Sequence, residues 1–496
     1  MTRAGSSLFA PIVGLAIGGT MIAGGAGMLV CGLLGLADGR DAGAFLLAGA
    51  VVLGLGLALF LVSRRAEQRA QSVRTISGLL AVTLAWVVAS LFGAVPFILT
   101  GALSAPMDAI FEAASGFTTT GATVIDDVEA QSDAILLWRS ITQWLGGIGI
   151  VVLVVAVAPQ AGPGLQRAFY AETSGVGRER LTPKLIDTAK IITGVYLTLS
   201  AIGAAAYLVA GMGLFDAINH SMTSLATGGF STRNDSMASY GTAIQIVAIG
   251  GMLLGSINFA FYWLAIRRKK VTDLIPEIRT FLIIVVIMTI AIAVSLFLTE
   301  DVVDADQTVL DSAFTVVSII TTTGYTTVDF DNWDSFARAS ILLMTFIGAC
   351  AGSTAGGIKV IRLMLLGKSA FQEIQLQVRP KAVRVLRIGR KVYGDDIRRA
   401  VFGYLTVYVI VYGLGVLAMT IGGLDVISAI SASAATLNVT GPGIGEVGAL
   451  ENYGALSDFN LAVAWFLMIA GRLEVYTLVA VLVAIFDRVR EYAFSH

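Results

Sequence analysis

The stretch 320-ITTTGYTTVDF-330 lies between two long apolar segments, and it sets a run of threonines, a glycine and Asp329 where a membrane helix would simply continue. In hydrocarbon every backbone polar group needs an internal partner. Non-helical backbone therefore persists at membrane depth only where it is buried in protein or lines a water-filled cavity. Whether that constraint applies depends on how much of the chain is membrane. Of 496 residues, 56% are hydrophobic and 14% charged, and the mean hydropathy is +0.82, which places the chain among polytopic membrane proteins.

About 20 predominantly apolar residues cross a bilayer. Such segments recur near 8–35, 43–63, 76–100, 134–158, 186–211, 242–266, 279–299, 336–366, 396–422 and 459–487, an expectation of ten spans. The first follows a short, weakly charged head and a second span returns at once, so a true helix is expected rather than a cleaved signal peptide. Cys31 and Cys350 sit in apolar surroundings, too few and too far apart for a disulfide framework or a metal site. Basic residues are distributed one-sidedly. All of the 33 Lys and Arg except Arg40, Arg139, Arg233, Arg338 and Arg472 fall in Arg3 or the stretches 64–75, 159–190, 267–279, 359–399 and 487–496. With ten alternating spans these share one face, which the positive-inside rule makes cytoplasmic, with both termini inside. The opposite connections carry Asp126, Asp127, Glu129, Asp329, Asp331, Asp334, Glu446 and Glu451, an acidic face that attracts cations.

The opening stretch has three cousins, 115-SGFTTTGATV-124, 224-SLATGGFSTRN-234 and 436-TLNVTGPGIGEVG-448. Aligned on the glycine that directly follows a threonine, they place Gly121, Gly228, Gly324 and Gly441 at a period of roughly a hundred residues, each in an outer connection. Upstream of each runs a segment too short to span, beginning 108-DAIF, 215-FDAI, 311-DSAF and 425-DVIS, whose aspartate suits a helix N-terminus. Each repeat thus reads span, half-helix, hydroxyl–glycine turn, span. The fold expected is an all-α polytopic membrane protein with four half-helices. Four such turns around one axis would aim carbonyls at a common line, and the half-helix C-termini would add negative dipole ends that favour a permeating cation. Taken singly, any one of them reads equally well as an ordinary Gly/Thr turn.

On these turns, on 348-GACAGSTAGGIKVIR-362 and on 471-GRLEVYTL-478, the sequence resembles the Trk/Ktr/HKT superfamily of potassium transporters, most closely its Trk-type (TrkH-like) membrane subunit. The resemblance covers nearly the whole chain. It implies a single-chain pseudo-tetramer of four membrane–pore–membrane units at 76–158, 186–266, 279–366 and 396–487. The corresponding division is a transmembrane hairpin at 1–70 and repeats at 71–180, 181–272, 273–395 and 396–496. It implies a K+ filter built from Thr119, Thr120 and Gly121, from Ala226, Thr227 and Gly228, from Thr322, Thr323 and Gly324, and from Val439, Thr440 and Gly441. Some relatives that admit Na+ carry serine at the first glycine position, so the intact Gly121 favours K+. The resemblance also implies a homodimer, a separate cytosolic ring of nucleotide-binding (NAD- or ATP-type) regulatory subunits and a bacterial cytoplasmic (inner) membrane. K+ is then the transported ion, with no organic cofactor and no nucleic-acid partner expected.

The segment 348–357 interrupts an apolar span with four glycines, Gly348, Gly352, Gly356 and Gly357, and with Ser353 and Thr354. From the residues alone it is either a small-xxx-small packing face or a broken helix. The resemblance implies an unwound intramembrane loop that gates the path below the filter, with Lys359 and Arg362 marking the return to the cytoplasm. Arg472 is the basic residue set squarely inside a span, where an arginine is costly unless it faces a cavity or a partner. It reads as an ion-pair partner of Glu474 or another acid, as a fixed positive barrier to a cation, or as both. His220 reads as a satisfied polar residue rather than a proton relay.

No Walker motif appears, and 441-GPGIG-445 neither follows a strand nor opens a βαβ unit. The basic loops 267-RRKK-270 and 379–399 are docking surfaces for a cytosolic partner or simply products of the positive-inside bias. Two other classes fit less well. A secondary transporter of an organic solute often has inverted repeats, and these four share one orientation. A membrane enzyme needs clusters of catalytic side chains, and the chain has only 2 histidines. A Na+-admitting or weakly selective member of the same family is the nearer rival.

Overall fold

The structure, a computed structural model, describes residues 11–67, 75–157, 185–267, 271–299, 304–379, 385–475, 477–479, 481 and 483. Much of the basic set expected on the cytoplasmic face lies outside the described residues, including 158–184, 268–270, 380–384 and both chain ends.

An antiparallel hairpin, α1 (Pro11–Asp38) and α2 (Ala42–Glu67), precedes the repeats. Its closeness follows from small residues. Gly18, Gly25 and Gly32 recur at every seventh position along one side of α1, and a Cβ at Gly25 would lie 2.6 Å from the Leu53 amide nitrogen of α2. Where lipid tails are as apolar as leucine, such close approach is what holds helices together.

Four units follow. The first is α3 (Thr75–Thr100), the short α4 (Pro106–Thr118) and α5 (Asp133–Val157). The second is α6 (Leu185–Val209), the short α7 (Leu214–Leu225), then α8 (Thr242–Ser256) and α9 (Phe259–Ile266). The third is α10 (Ile275–Thr299), the short α11 (Ala305–Ile320), then α12 (Ser335–Thr345) and α13 (Val360–Val378). The fourth is α14 (Asp395–Ile421), the short α15 (Val426–Leu437) and α16 (Asp458–Arg472). At 1.5 Å per residue the four short helices are about 18–24 Å long, less than the ~30 Å of a hydrocarbon core, so each ends inside it.

Among the described residues six helices are long and apolar enough to cross a membrane, namely the hairpin pair and the first helix of each unit, and the α8–α9 pair makes a seventh if counted as one bent span. The second helix of unit one, α5, follows the expected segment 134–158, whereas those of units two, three and four depart from the continuous segments expected. The α8–α9 pair is bent by 89°. The third unit breaks between Thr345 and Val360, and α16 stops at Arg472, with Glu474 and Val475 at φ +55° and +31°. Of these breaks only the one in the third unit was anticipated, as one of the two readings of 348–357. Hydropathy registers polarity, and Ile257 or Leu473 reads as continuous helix.

The expected aspartate caps also need correction. Asp425 does cap α15, accepting from the amides of Ile427 at 2.7 Å and Ser428 at 3.2 Å. In the third unit the cap is Asp304, and Asp311 lies well inside α11, where it accepts from Thr327 Oγ1 at 3.0 Å. Asp216 does the same from the first turn of α7, accepting from Thr232 Oγ1 at 2.7 Å and Tyr240 Oη at 3.0 Å. Both carboxylates tie a short helix to the segment beyond its turn. A small antiparallel hairpin, β1 (Leu386–Ile388) and β2 (Lys391–Tyr393), is the one departure from helix large enough to name strands among the described residues.

The apolar core is divided. One cluster joins the hairpin to units one and four through residues such as Phe117, Trp138 and Leu467. Another joins units two and three through Tyr207, Phe281, Phe314 and Tyr325. Cys31 and Cys350 are buried free thiols.

Candidate functional site

The four turns share one backbone design. Each short helix ends in a left-handed residue: Thr119, Thr227, Thr322 and Val439, at φ +61°, +52°, +55° and +61°. The next amide then reaches back five residues to close the helix end. Thr120 N donates to Ser115 O at 2.8 Å, and Gly228 N to Thr223 O, Thr323 N to Ser318 O and Thr440 N to Ala435 O, each at 2.9 Å. A second positive φ follows at Gly121, Gly229, Gly324 and Gly441, at +83°, +82°, +81° and +96°. Two left-handed residues so close together are costly for side chains with a Cβ, so glycine takes the second position.

This pattern corrects the sequence register in the second unit. The residues equivalent to Thr119, Thr120 and Gly121 are Thr227, Gly228 and Gly229, whereas alignment on the first glycine after threonine gives Ala226, Thr227 and Gly228. Ala226 is still right-handed, at φ −70°. The doublet 228-GG-229 left the alignment free to slip by one residue; the backbone angles do not.

The turns meet in a closed ring. A Cβ at Gly121 would lie 2.1 Å from Gly228 O of the next unit, at Gly229 2.0 Å from Thr323 O, at Gly324 2.0 Å from Thr440 O, and at Gly441 2.6 Å from Thr120 O of the first. One glycine and one carbonyl from every unit thus interlock in the order one, two, three, four, one. Thr119, Thr120, Thr227, Thr322, Thr323, Val439 and Thr440 are all buried behind it. Thr119 Oγ1 and Thr440 Oγ1 are buried without a hydrogen-bond partner in the described structure. A cavity of about 180 Å³ opens where the chain leaves the turns, lined by the four ring glycines and by Asp126, Arg139, Arg233 and Glu451.

Sequence reasoning missed the groups that brace this ring. Glu112 of α4, fully buried, pairs with Arg139 of α5 at 2.8 Å and accepts from Thr123 Oγ1 and Val124 N, both at 3.0 Å. Arg139 also donates to Ser231 O of the second unit at 2.9 Å and lies 4.1 Å from the Phe230 ring centroid. His220 occupies the position of Glu112 in α7. Its Nδ1 lies 2.8 Å from Asp216 O and its Nε2 3.0 Å from Ser231 Oγ, the satisfied polar residue expected. Gln143 donates to Gly228 O at 2.6 Å and accepts from Phe230 N at 3.1 Å. Glu112 and Arg139 were visible only as an acid in a short segment and a base in a span; no spacing rule joins them.

Against the other side of the ring lies the loop that contains 348–357. It is non-helical, pinned at its neck by a parallel bridge between Ile347 and Ile358, with Gly348 N donating to Ile358 O at 2.9 Å. Its tip touches three turns. Thr227 Oγ1 donates to Thr354 Oγ1 at 3.1 Å, Gly356 N donates to Thr322 Oγ1 at 2.7 Å, and a Cβ at Gly356 would lie 2.2 Å from Asn438 O. Ser353 Oγ turns back to Cys350 O at 2.6 Å, and Gly352 and Gly357 take positive φ. The packing-face reading of a continuous helix here is therefore replaced by a loop.

Arg472, 3% exposed, donates from Nη1 to Thr354 O at 2.8 Å and from Nη2 to Gly146 O of α5 at 2.9 Å, so it ties the loop tip to the first unit. The pairing with Glu474 expected as one alternative does not form: Glu474 pairs instead with Arg362 at 2.6 Å. Nor do Lys359 and Arg362 stand at an exit to water. Both are buried, and the Lys359 ammonium folds back to Ala355 O and Gly356 O, because the unwound loop presents carbonyls that need donors.

Comparison with known proteins gives consistent matches. A family model described as a cation transport protein, TrkH, matches residues 49–490. The Trk system potassium uptake protein TrkH of Halomonas elongata is 37% identical over 450 residues, covering 90% of this chain and 92% of its own length. The protein of that name from Escherichia coli is 36% identical over 471 residues, covering 93% and 96%. The crystal structure of the potassium transporter TrkH from Vibrio parahaemolyticus superposes with a TM-score of 0.86 at 34% identity, covering 95% of this chain and 98% of that one.

Proposed function

We propose, since this chain belongs to the TrkH family of cation transport proteins, that it takes up K+, the ion its relatives are named for, through the ring of turns. One observation carries this reading: four equivalent turns, one per unit, interlock glycine to carbonyl around a single axis. K+ dehydrates readily only where backbone oxygens replace its water shell, and the C-termini of four short helices add negative dipole ends. The filter is then Thr119–Thr120–Gly121, Thr227–Gly228–Gly229, Thr322–Thr323–Gly324 and Val439–Thr440–Gly441, and the chain divides into a hairpin at 1–70 and pore repeats at 71–180, 181–272, 273–395 and 396–496. Acids at the outer cavity concentrate cations.

The loop at 348–357 acts as the gate, because its tip occupies the inner side of three turns, and Arg472 adds a fixed positive charge there. The chain resides in a cytoplasmic membrane with both termini inside, works as a homodimer and takes its regulation from a cytosolic nucleotide-binding ring, since it carries no such fold among the described residues. The test is growth of a K+-uptake-deficient bacterium at low external K+, paired with K+ and Na+ flux into proteoliposomes. Complementation with K+ favoured over Na+ is expected. Equal fluxes would make the chain a weakly selective cation pathway, and absence of ion flux would overturn the reading.

A further inference from the structure

The second unit's outgoing helix breaks at Ile257–Asn258, and its lost hydrogen bonds have gone to the loop of the third unit. In an unbroken helix Phe259 N and Ala260 N would donate to Gly255 O and Ser256 O. Here Phe259 N donates to Gly352 O at 3.2 Å, and Ala260 N to Asn258 Oδ1 at 2.9 Å. The freed carbonyls are taken by the loop: Gly255 O accepts from Thr354 N and Ser256 O from Cys350 N, each at 3.2 Å. Asn258 completes the exchange. Its side chain, buried with the residue 2% exposed, caps α9 and donates to Ala351 O at 2.7 Å, while Ala351 N donates to Glu277 Oε1 at 2.8 Å. Gly352, at φ +73°, passes so close that a Cβ would lie 2.7 Å from Asn258 Nδ2.

We propose that the broken helix and the loop are one two-state element. With the loop docked, the helix is bent; when the loop leaves, Phe259 N and Ala260 N return to Gly255 O and Ser256 O and α8–α9 straightens. Buried amides and carbonyls cannot be left unpaired, so neither half changes without the other. Asn258 is the positioning residue that favours the bent, docked state. The straightening would swing α9, which leads to Arg267 at the end of the span, and so would carry the state of the loop to the membrane surface. This inference rests on the reading of the loop as a gate.

Two substitutions at one position separate the possibilities. Asn258→Ala removes the cap and the grip on Ala351 and favours continuous helix. Asn258→Pro removes the same groups but forbids continuous helix, and it suits the φ of −55° found there. Spin labels at Ile246 and Ile266, both exposed, report the bend: about 21 Å apart along the two legs at a right angle, against about 30 Å along a straight helix of 1.5 Å rise. In proteoliposomes containing the full chain, Asn258→Ala should raise K+ flux about thirtyfold and populate the longer distance, since two hydrogen bonds near 1 kcal/mol each are lost and 1.4 kcal/mol is a factor of ten. Asn258→Pro should do neither. Equal flux from both variants would overturn the coupling, since only the side chain would then matter. A third arm removes residues 353–356. If that deletion raises flux while the labels stay at the short distance, the coupling fails and the gate stands; if flux does not rise, the gate reading itself fails.

Discussion

Replacing Gly121 by serine tests the ring at its most informative point. The residue sits at φ +83°, and an added Cβ would stand 2.1 Å from Gly228 O, a backbone atom that cannot rotate away. Even a weak C–H···O contact needs roughly 3.3 Å, so carbonyl and turn must part by about 1 Å. The left-handed backbone adds about 1–2 kcal/mol of strain. If half to all of that strain is expressed in the relative binding of K+ and Na+, at 1.4 kcal/mol per factor of ten, the K+/Na+ permeability ratio falls by several-fold to tenfold or more.

The assay is the reversal potential, or paired K+ and Na+ fluxes, in proteoliposomes. Glycines elsewhere supply the controls. A Cβ at Gly413 meets nothing within 4 Å, so Gly413→Ala should leave the ratio unchanged. The second turn tests the register directly: Gly229→Ala should behave like Gly121→Ser, whereas a Cβ at Gly228 would meet the Gln143 side chain at 2.4 Å rather than backbone, and Gly228→Ala should be milder. Gly441, with 2.6 Å to its neighbour, should tolerate substitution better than Gly121. A selective Gly121→Ser protein, or a Gly228 variant worse than the Gly229 one, would refute the reasoning.

Arg472→Gln should raise K+ flux well above wild type while Arg472→Lys stays nearer to it, because a unit charge at ~4 Å opposes a cation by about 4 kcal/mol at an effective dielectric of 20; equal loss of folding in both would make Arg472 a structural tether of Thr354 and Gly146 only. Arg139→Met strands the buried carboxylate of Glu112 and should cost about 3–5 kcal/mol of stability, and the double variant Arg139→Met/Glu112→Gln should recover most of it, as read by thermal unfolding in detergent. Asp127 in the outer connection is held below the usual carboxylate range by Asn234 Nδ2 and then by the Ala130 amide. Its contribution is present above the ordinary aspartate range and lost as pH falls through the depressed value, so amide exchange around residues 127–130 should quicken only in strong acid, and exchange unaffected by pH beyond its intrinsic rate would exclude that link.

Sequence carried the repeat because composition and turn chemistry are local. A threonine followed by glycine after a short apolar segment, four times over, specifies four interrupted entries into the membrane before any contact is known. The GACAGSTAGG run left a packing face and a broken helix both open from the residues, and the family resemblance pointed to the loop. What stayed hidden was relational. Gly228 and Gly229 are equally good glycines, and only the return bond from Gly228 N to Thr223 O decides which one turns left-handed. The partner of Arg472 was sought among acids, yet the structure satisfies it with two carbonyls from different units. The break at Asn258 shows in the sequence only as one amide side chain within an apolar run, since its cause is a loop nearly a hundred residues away in the chain.

Those relational features also explain how a ring of four similar turns can serve an asymmetric task. The second helix of unit one, α5, runs unbroken from Asp133 to Val157, bracing the ring through Gln143 and Arg139 and offering Gly146 O to Arg472. The corresponding helices of units two, three and four are each interrupted close to the ring: at Ile257–Asn258, between Thr345 and Val360, and after Arg472. The loop of unit three fills the gap opened in unit two, and the arginine at the end of unit four closes on the loop tip. Interruption in one unit is thus satisfied by interruption in the next, while unit one stays the fixed wall. A symmetric pore could open only by moving all four inner helices together. On the proposed coupling the hydrogen bonds that would exchange belong to units two and three, so the loop would leave without disturbing the Glu112–Arg139 brace that holds the first turn in place.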